Sequence, residues 1–107
     1  MAKITDHLKN RISLFLEDIQ SICSLDKVIL YGSLARGKGH PDSDIDIAIF
    51  SRSANDNNRL QIMSKIFTKV PKYKLDIQPL VFSFQDFSAA DNSFIQKEIK
   101  ANGIVLR

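Results

Sequence analysis

Residues 31–50 read YGSLARGKGHPDSDIDIAIF, and the reading of that stretch sets the fold around it. Val28-Ile29-Leu30-Tyr31 is a short apolar run rich in β-formers, and Gly32 ends it. A glycine at such a turn lets the backbone come close to a ligand, because no Cβ intervenes. The amides and hydroxyl of the residues that follow, Ser33 first, form a seat for phosphate oxygens, more so where a helix begins. Ten residues separate Ser33 from Asp44, and Asp46 lies two further on. Strand side chains alternate, so these carboxylates share a face roughly 6.5–7 Å apart along the strand. Ile45, Ile47 and Ile49 take the opposite face, toward a core. Two carboxylates converging beside a phosphate seat suit a hard divalent cation such as Mg²⁺.

Outward from this stretch, helices and strands alternate. Upstream, Ile4, Leu8, Ile12, Phe15, Ile19 and Ile22 fall at helical spacing and predict a packing helix that ends near Cys23, a small core residue. His7 reads as a solvated surface histidine. The stretch itself gives a strand over 28–31, a helical turn over 33–36, a loop over 37–41 and a second strand carrying Asp44 and Asp46. Residues 51–58 form a polar link whose Asn55, Asp56 and Asn57 offer helix caps. A helix follows with Leu60, Met63, Ile66, Phe67 and Val70 on one face, stopped by Pro71. A third strand spans 75–82, with Asp76 and Gln78 on one face, and Pro79 implies a free edge or a kink. Residues 83–91 connect, with a helical turn near 85–87. A last helix runs over 92–102, Gly103 stops it, and 104–106 offer a short final strand. The pattern predicts an α/β or α+β sandwich, helices flanking a small mixed sheet.

Composition narrows the function classes. With 107 residues, 44% hydrophobic and 25% charged, the chain reads as one ordinary soluble domain, 1–107. The net charge of +3 permits an anionic ligand, but the basic residues are scattered, so no direct nucleic-acid binding is expected. Lys69, Lys72 and Lys74 make a small basic patch, read as a solvated face. The single cysteine excludes an internal disulfide and fits a reducing, cytoplasmic setting. Lys3, Asp6, Lys9 and Arg11 argue against a signal peptide, and no apolar run is long enough to span a membrane.

Two familiar motifs fit the central stretch only in part. Gly32 to Lys38 matches G-x-x-x-x-G-K, but Gly39 stands where the hydroxyl residue belongs, and Gly39-His40-Pro41 would break the helix. A calcium loop from Asp42 fails because Ile47 replaces the turn glycine and Ser53 the closing glutamate. A third reading keeps every feature: Gly-Ser, ten residues, Asp-x-Asp.

GSLARGKGHPDSDIDI resembles the G-S-x-A-R-G-x(5)-S-D-x-D signature of the minimal nucleotidyltransferases (MNT), in the DNA polymerase beta-like superfamily. Gly32, Ser33, Ala35, Arg36, Gly37, Ser43, Asp44 and Asp46 all match. The resemblance covers nearly the whole chain and implies a nucleotidyltransferase fold. It implies a third acidic residue on a later strand, for which Asp76 is placed, with Asp44, Asp46 and Asp76 as catalytic residues and as ligands of two Mg²⁺ ions. It makes Gly32 and Ser33 the seat of the β- and γ-phosphates of ATP. Arg36 either neutralises triphosphate charge or tethers the loop by pairing with an aspartate.

The resemblance also implies a partner. Larger relatives carry a second domain for the acceptor, whereas the residues after Ser33 are here used up by the sheet and its helices. The acceptor is then small, or is presented by another chain. Stand-alone MNT proteins are paired with a helical HEPN ribonuclease toxin and, as antitoxins, transfer AMP from ATP to one of its tyrosines. That is the leading expectation. The alternatives are a transferase acting on a small molecule such as an aminoglycoside, and a binding antitoxin with a vestigial site. Exposed parts of Phe82, Phe84 or Phe87 are the expected partner surface.

Overall fold

The computed structural model describes residues 5–37, 44–88 and 92–107. Helix α1 (Asp6–Ile19) starts where the Thr5 hydroxyl accepts from the Leu8 amide at 3.1 Å, and it buries Ile12, Phe15, Leu16 and Ile19. Strand β1 (Lys27–Tyr31) turns directly into the single-turn helix α2 (Gly32–Ala35). Strand β2 (Ile45–Ser51), helix α3 (Arg59–Phe67), a 3₁₀ turn (Val70–Tyr73) and strand β3 (Ile77–Ser83) follow. Helix α4 (Phe84–Ser88), a widened π-type helix α5 (Ile95–Lys100) and strand β4 (Ile104–Val105) complete the order.

The four strands form one sheet in the order β3-β2-β1-β4. β2 runs parallel to β3, while β1 is antiparallel to both β2 and β4. The sheet is therefore mixed, as the sequence predicts, and α3 lies in the crossover that two parallel strands require. Pro79 sits on β3, an edge strand, where a missing donor is tolerated. Both faces are covered. α1 and α3 pack on Val28, Leu30, Ile45, Ile47, Ile49, Ile77 and Val81. On the other face Ile95 and Ile99 of α5 meet Ile29, Tyr31, Ala48, Phe50 and Phe82. The second layer places α5 over the face that Asp46 shares with Ala48 and Phe50.

Gly103 lets the chain leave α5 for the sheet. A Cβ there would lie 2.2 Å from the Ile99 carbonyl oxygen and 2.3 Å from Ile29 Cγ2. No side chain fits so close to a backbone oxygen.

Several sequence expectations shift. The buried stripe of α3 is Ile62 and Ile66, with Met63 and Val70 packed beside it; Leu60 is 68% exposed and Phe67 also faces out. Arg59 sets this phase: its Nε donates to the Val81 carbonyl at 2.9 Å and its guanidinium lies 5.2 Å over the Phe82 ring. α3 stops at Phe67, the residue whose carbonyl the Pro71 ring would strike, and Pro71 instead enters the 3₁₀ turn. Asn55 and Asn58 do not cap α3 through their side chains. Asn55 accepts from the amides of Asn57 and Asn58, and Asn58 accepts from that of Asn55, so the pair ties the preceding turn together.

The basic patch is not simply solvated. Lys69 and Lys72 reach Asp18 at 3.9 and 3.5 Å, the Tyr73 hydroxyl donates to Asp18 at 2.7 Å, and Arg11 donates to the Tyr73 carbonyl. These contacts clamp the 3₁₀ turn onto α1 just ahead of Asp76. Lys74 ends the turn with φ +52°.

Candidate active site

Asp44 immediately precedes β2, and Asp76 immediately precedes β3. The Ile45 amide donates to the Asp76 carbonyl at 2.8 Å, which stitches the two strand starts together. In the register Asp46 lies opposite Tyr31 on one side and Gln78 on the other. Alternation then puts Asp44, Asp46, Asp76 and Gln78 on one face, at one end of the sheet. The Gln78 amide donates to Asp76 Oδ1 at 2.9 Å.

The electrostatics record how close the carboxylates stand. Asp76 pushes Asp44 above the ordinary carboxylate range, first by a shared hydrogen bond and then by its like charge, with lesser contributions from burial and from Asp46. Burial raises Asp46, and the charge of Asp76 raises it further. Tyr31 is pushed up to about 12, mainly by burial and also by the charge of Asp46. Two carboxylates held above their ordinary range beside Asp76 make a region that a cation would relieve. As placed, no three His, Cys, Asp or Glu side chains among the described residues are gathered around a single metal position.

Gly32 touches this cluster. Its φ is +80°, and a Cβ built on it would lie 2.3 Å from Asp46 Oδ2, with Asp46 Cγ and Cβ at 3.2 and 3.3 Å. Only glycine allows the backbone of α2 to approach the carboxylate so closely. Ser33 is the next residue of α2, so the expected phosphate seat and the aspartates are neighbours. Gly37, with φ +77°, closes α2 by donating to the Leu34 carbonyl at 3.2 Å. Ser43 and the loop residues 38–42 lie outside the described residues.

Arg36 pairs with Glu98 of α5 at 3.3 Å rather than with an aspartate, and both side chains remain about half exposed. Four residues before Glu98, Phe94 makes an edge-to-face pair with Tyr31, ring centroids 5.8 Å apart at 87°, and is 43% exposed. Of the expected partner surface, Phe82 is buried against Phe50 while Phe84 and Phe87 are half-buried. Phe84 lies under Arg52, and Phe87 under Lys27 and Lys100. Phe82 and Phe84 also lie at the far ends of β2 and β3 from the aspartates. Sequence reasoning passed over Phe94 and Glu98, because their helix reaches the site only through the layer that Ile95 and Ile99 anchor. Gln78 was legible as sharing a face with Asp76, although its hydrogen bond was not.

A seat beside clustered carboxylates, on a sheet of this topology, can hold a polyanion and its counter-cations. Residues 10–107 match the family described as polymerase beta, nucleotidyltransferase, and the chain belongs to that family. It is 33% identical over 81 residues to a Methanocaldococcus jannaschii protein that carries the provisional name of a protein adenylyltransferase, an alignment covering 75% of this chain and 77% of that protein. A chain from a crystal structure of a toxin–antitoxin with AMP-PNP superposes with a TM-score of 0.53 at 22% identity, covering 92% of this chain and 72% of its own. The same mixed-sheet fold serves both chains. No helix among the described residues is long and apolar enough to cross a membrane.

Proposed function

We propose that the chain transfers AMP from ATP to a hydroxyl, most directly a tyrosine of a partner HEPN-type helical toxin, and so acts as a cytoplasmic antitoxin. The observation that carries this is the meeting of Asp44, Asp46 and Asp76 with the glycine-opened helix α2 at one end of the sheet. The adenylyltransferase name of the archaeal relative and the toxin–antitoxin setting of the structural neighbour support the choice of nucleotide and partner.

The donor set fits Mg²⁺: all three groups are hard carboxylate oxygens, with Asp44 held above its ordinary range by the hydrogen bond and charge of Asp76, and Asp46 by burial and then by Asp76. Asp44, Asp46 and Asp76 would hold two such ions. When bound, Mg²⁺ neutralises triphosphate charge and makes an incoming hydroxyl more acidic. The remaining work belongs to the chain. Gly32 and Ser33 seat the β- and γ-phosphates, and Arg36 turns toward them once it leaves Glu98. Asp76, oriented by Gln78, accepts the proton of the acceptor hydroxyl. The acceptor oxygen bonds to the α-phosphorus as the bond to the bridging oxygen breaks, and pyrophosphate departs with the electron pair of that bond.

The test mixes the purified chain, Mg²⁺ and α-labelled ATP with and without a HEPN-type helical protein. The expected result is strong labelling of the partner on tyrosine, in mass steps of one AMP, and little label without it. Efficient transfer to an aminoglycoside alone would support the small-molecule reading instead. Tight partner binding with no transfer under any condition would leave only a binding antitoxin.

A further inference from the structure

We infer that Phe94 is the stacking platform for the nucleobase, an inference that rests on the nucleotide reading above. Phe94 is the one large exposed apolar side chain among the described residues that adjoins the candidate site; Leu14, Leu60, Phe67, Ile104 and Val105 lie on other elements. Its position is fixed rather than incidental. The ring is held in an edge-to-face pair with Tyr31, a buried residue whose strand partner is Asp46 and whose hydroxyl feels the charge of Asp46. The helix behind it is anchored by Ile95 and Ile99 in the core, and its entry by Asn92, whose side chain accepts from the Ile95 amide at 3.1 Å.

Glu98, four residues on, shares the Phe94 side of α5 and meets Arg36 at the end of α2. The same side of one helix therefore presents an ion pair to the phosphate seat and a partly exposed aromatic ring next to it. A nucleoside triphosphate is built in that order: charged phosphates, then a flat base. An aromatic ring stacks on a nucleobase whatever its identity, and purines offer the larger face. The ligand class is a purine nucleoside triphosphate, with the base on Phe94 and the phosphates on α2.

Equilibrium binding in Mg²⁺ separates the two parts of the ligand. ATP and inorganic tripolyphosphate are titrated onto the wild-type chain, Phe94→Ala and Phe94→Trp, with thermal melting as a check on folding. Phe94→Ala should weaken ATP roughly five- to 150-fold, the range set by loss of one base–aromatic stack. It should leave tripolyphosphate within about twofold, since phosphates do not stack. Phe94→Trp should restore ATP binding to the wild-type level or better. Unchanged ATP binding by Phe94→Ala would overturn the platform while leaving the nucleotide reading intact. A parallel loss of tripolyphosphate would also overturn it, by showing that the ring only supports the helix. A wild-type chain that binds neither ligand would overturn both.

Discussion

Gly32→Ala probes the contact that joins the phosphate seat to the carboxylates, and its cost divides into two parts. The first is the backbone: at φ +80° an L-residue is strained, by about 1–2 kcal/mol. The second is crowding, because the new Cβ would stand 2.3 Å from Asp46 Oδ2 and little more than 3 Å from Cγ and Cβ. Overfilling a packed site of this kind costs about 1–3 kcal/mol. The sum, about 2–5 kcal/mol, is a large share of a small domain's stability. Urea denaturation of wild type, Gly32→Ala, Asp46→Ala and the double variant measures each part. Asp46→Ala removes Oδ2 and Cγ, so in that background Gly32→Ala should cost only the strain, about 1–2 kcal/mol. The difference, about 1–3 kcal/mol, is the crowding. Equal costs in both backgrounds would refute the contact, and a cost below about 0.5 kcal/mol in wild type would refute the strained turn as well.

Two further outcomes follow from the same cluster. Asp44 and Asp46 have folded-state values raised above the unfolded ones, so their ionisation opposes folding. The penalty is absent below the unfolded value, grows as pH rises from there through the raised folded value, and is complete above it. Asp44→Asn should therefore raise the urea midpoint of the metal-free protein at neutral pH, with the gain vanishing in acid; a variant less stable than wild type at pH 7 would contradict the repulsion. Gln78→Ala removes the donor that holds Asp76 Oδ1. Turnover should drop about 10–100-fold with ATP affinity almost unchanged, as for other residues that orient a ligating carboxylate. Loss of affinity in equal measure would mean that Gln78 shapes the triphosphate seat instead.

The central stretch made most of the fold legible. Apolar runs broken by Gly32 and Pro71 place β1, α2 and the end of α3 close to where they lie, and strand alternation puts Asp44, Asp46 and Asp76 on one face. The strand pattern of Ile45, Ile47 and Ile49 announced the α1 side of the core. The other side was hidden, since Ala48 and Phe50 say little about which helix covers them. Hidden with it was α5's place over the site, and so Phe94 and Glu98. The phase of α3 also misled: Arg59, a charged residue, lies over Phe82 through its guanidinium, and Leu60 turns to solvent. Lys69 and Lys72 looked solvated because Asp18, their partner, stands some fifty residues away in sequence.

In the proposed reaction the three carboxylates at the start of β2 and β3 carry nucleotidyl transfer. The most direct measurement is pyrophosphate release at saturating Mg²⁺ with the helical partner present, for wild type, Asp44→Asn, Asp46→Asn and Asp76→Ala, alongside ATP affinity for each. Neither asparagine variant should release pyrophosphate. Asp76→Ala should bind ATP within a few fold of wild type and transfer nothing. Near-normal release from Asp44→Asn or Asp46→Asn would contradict that role for the carboxylates.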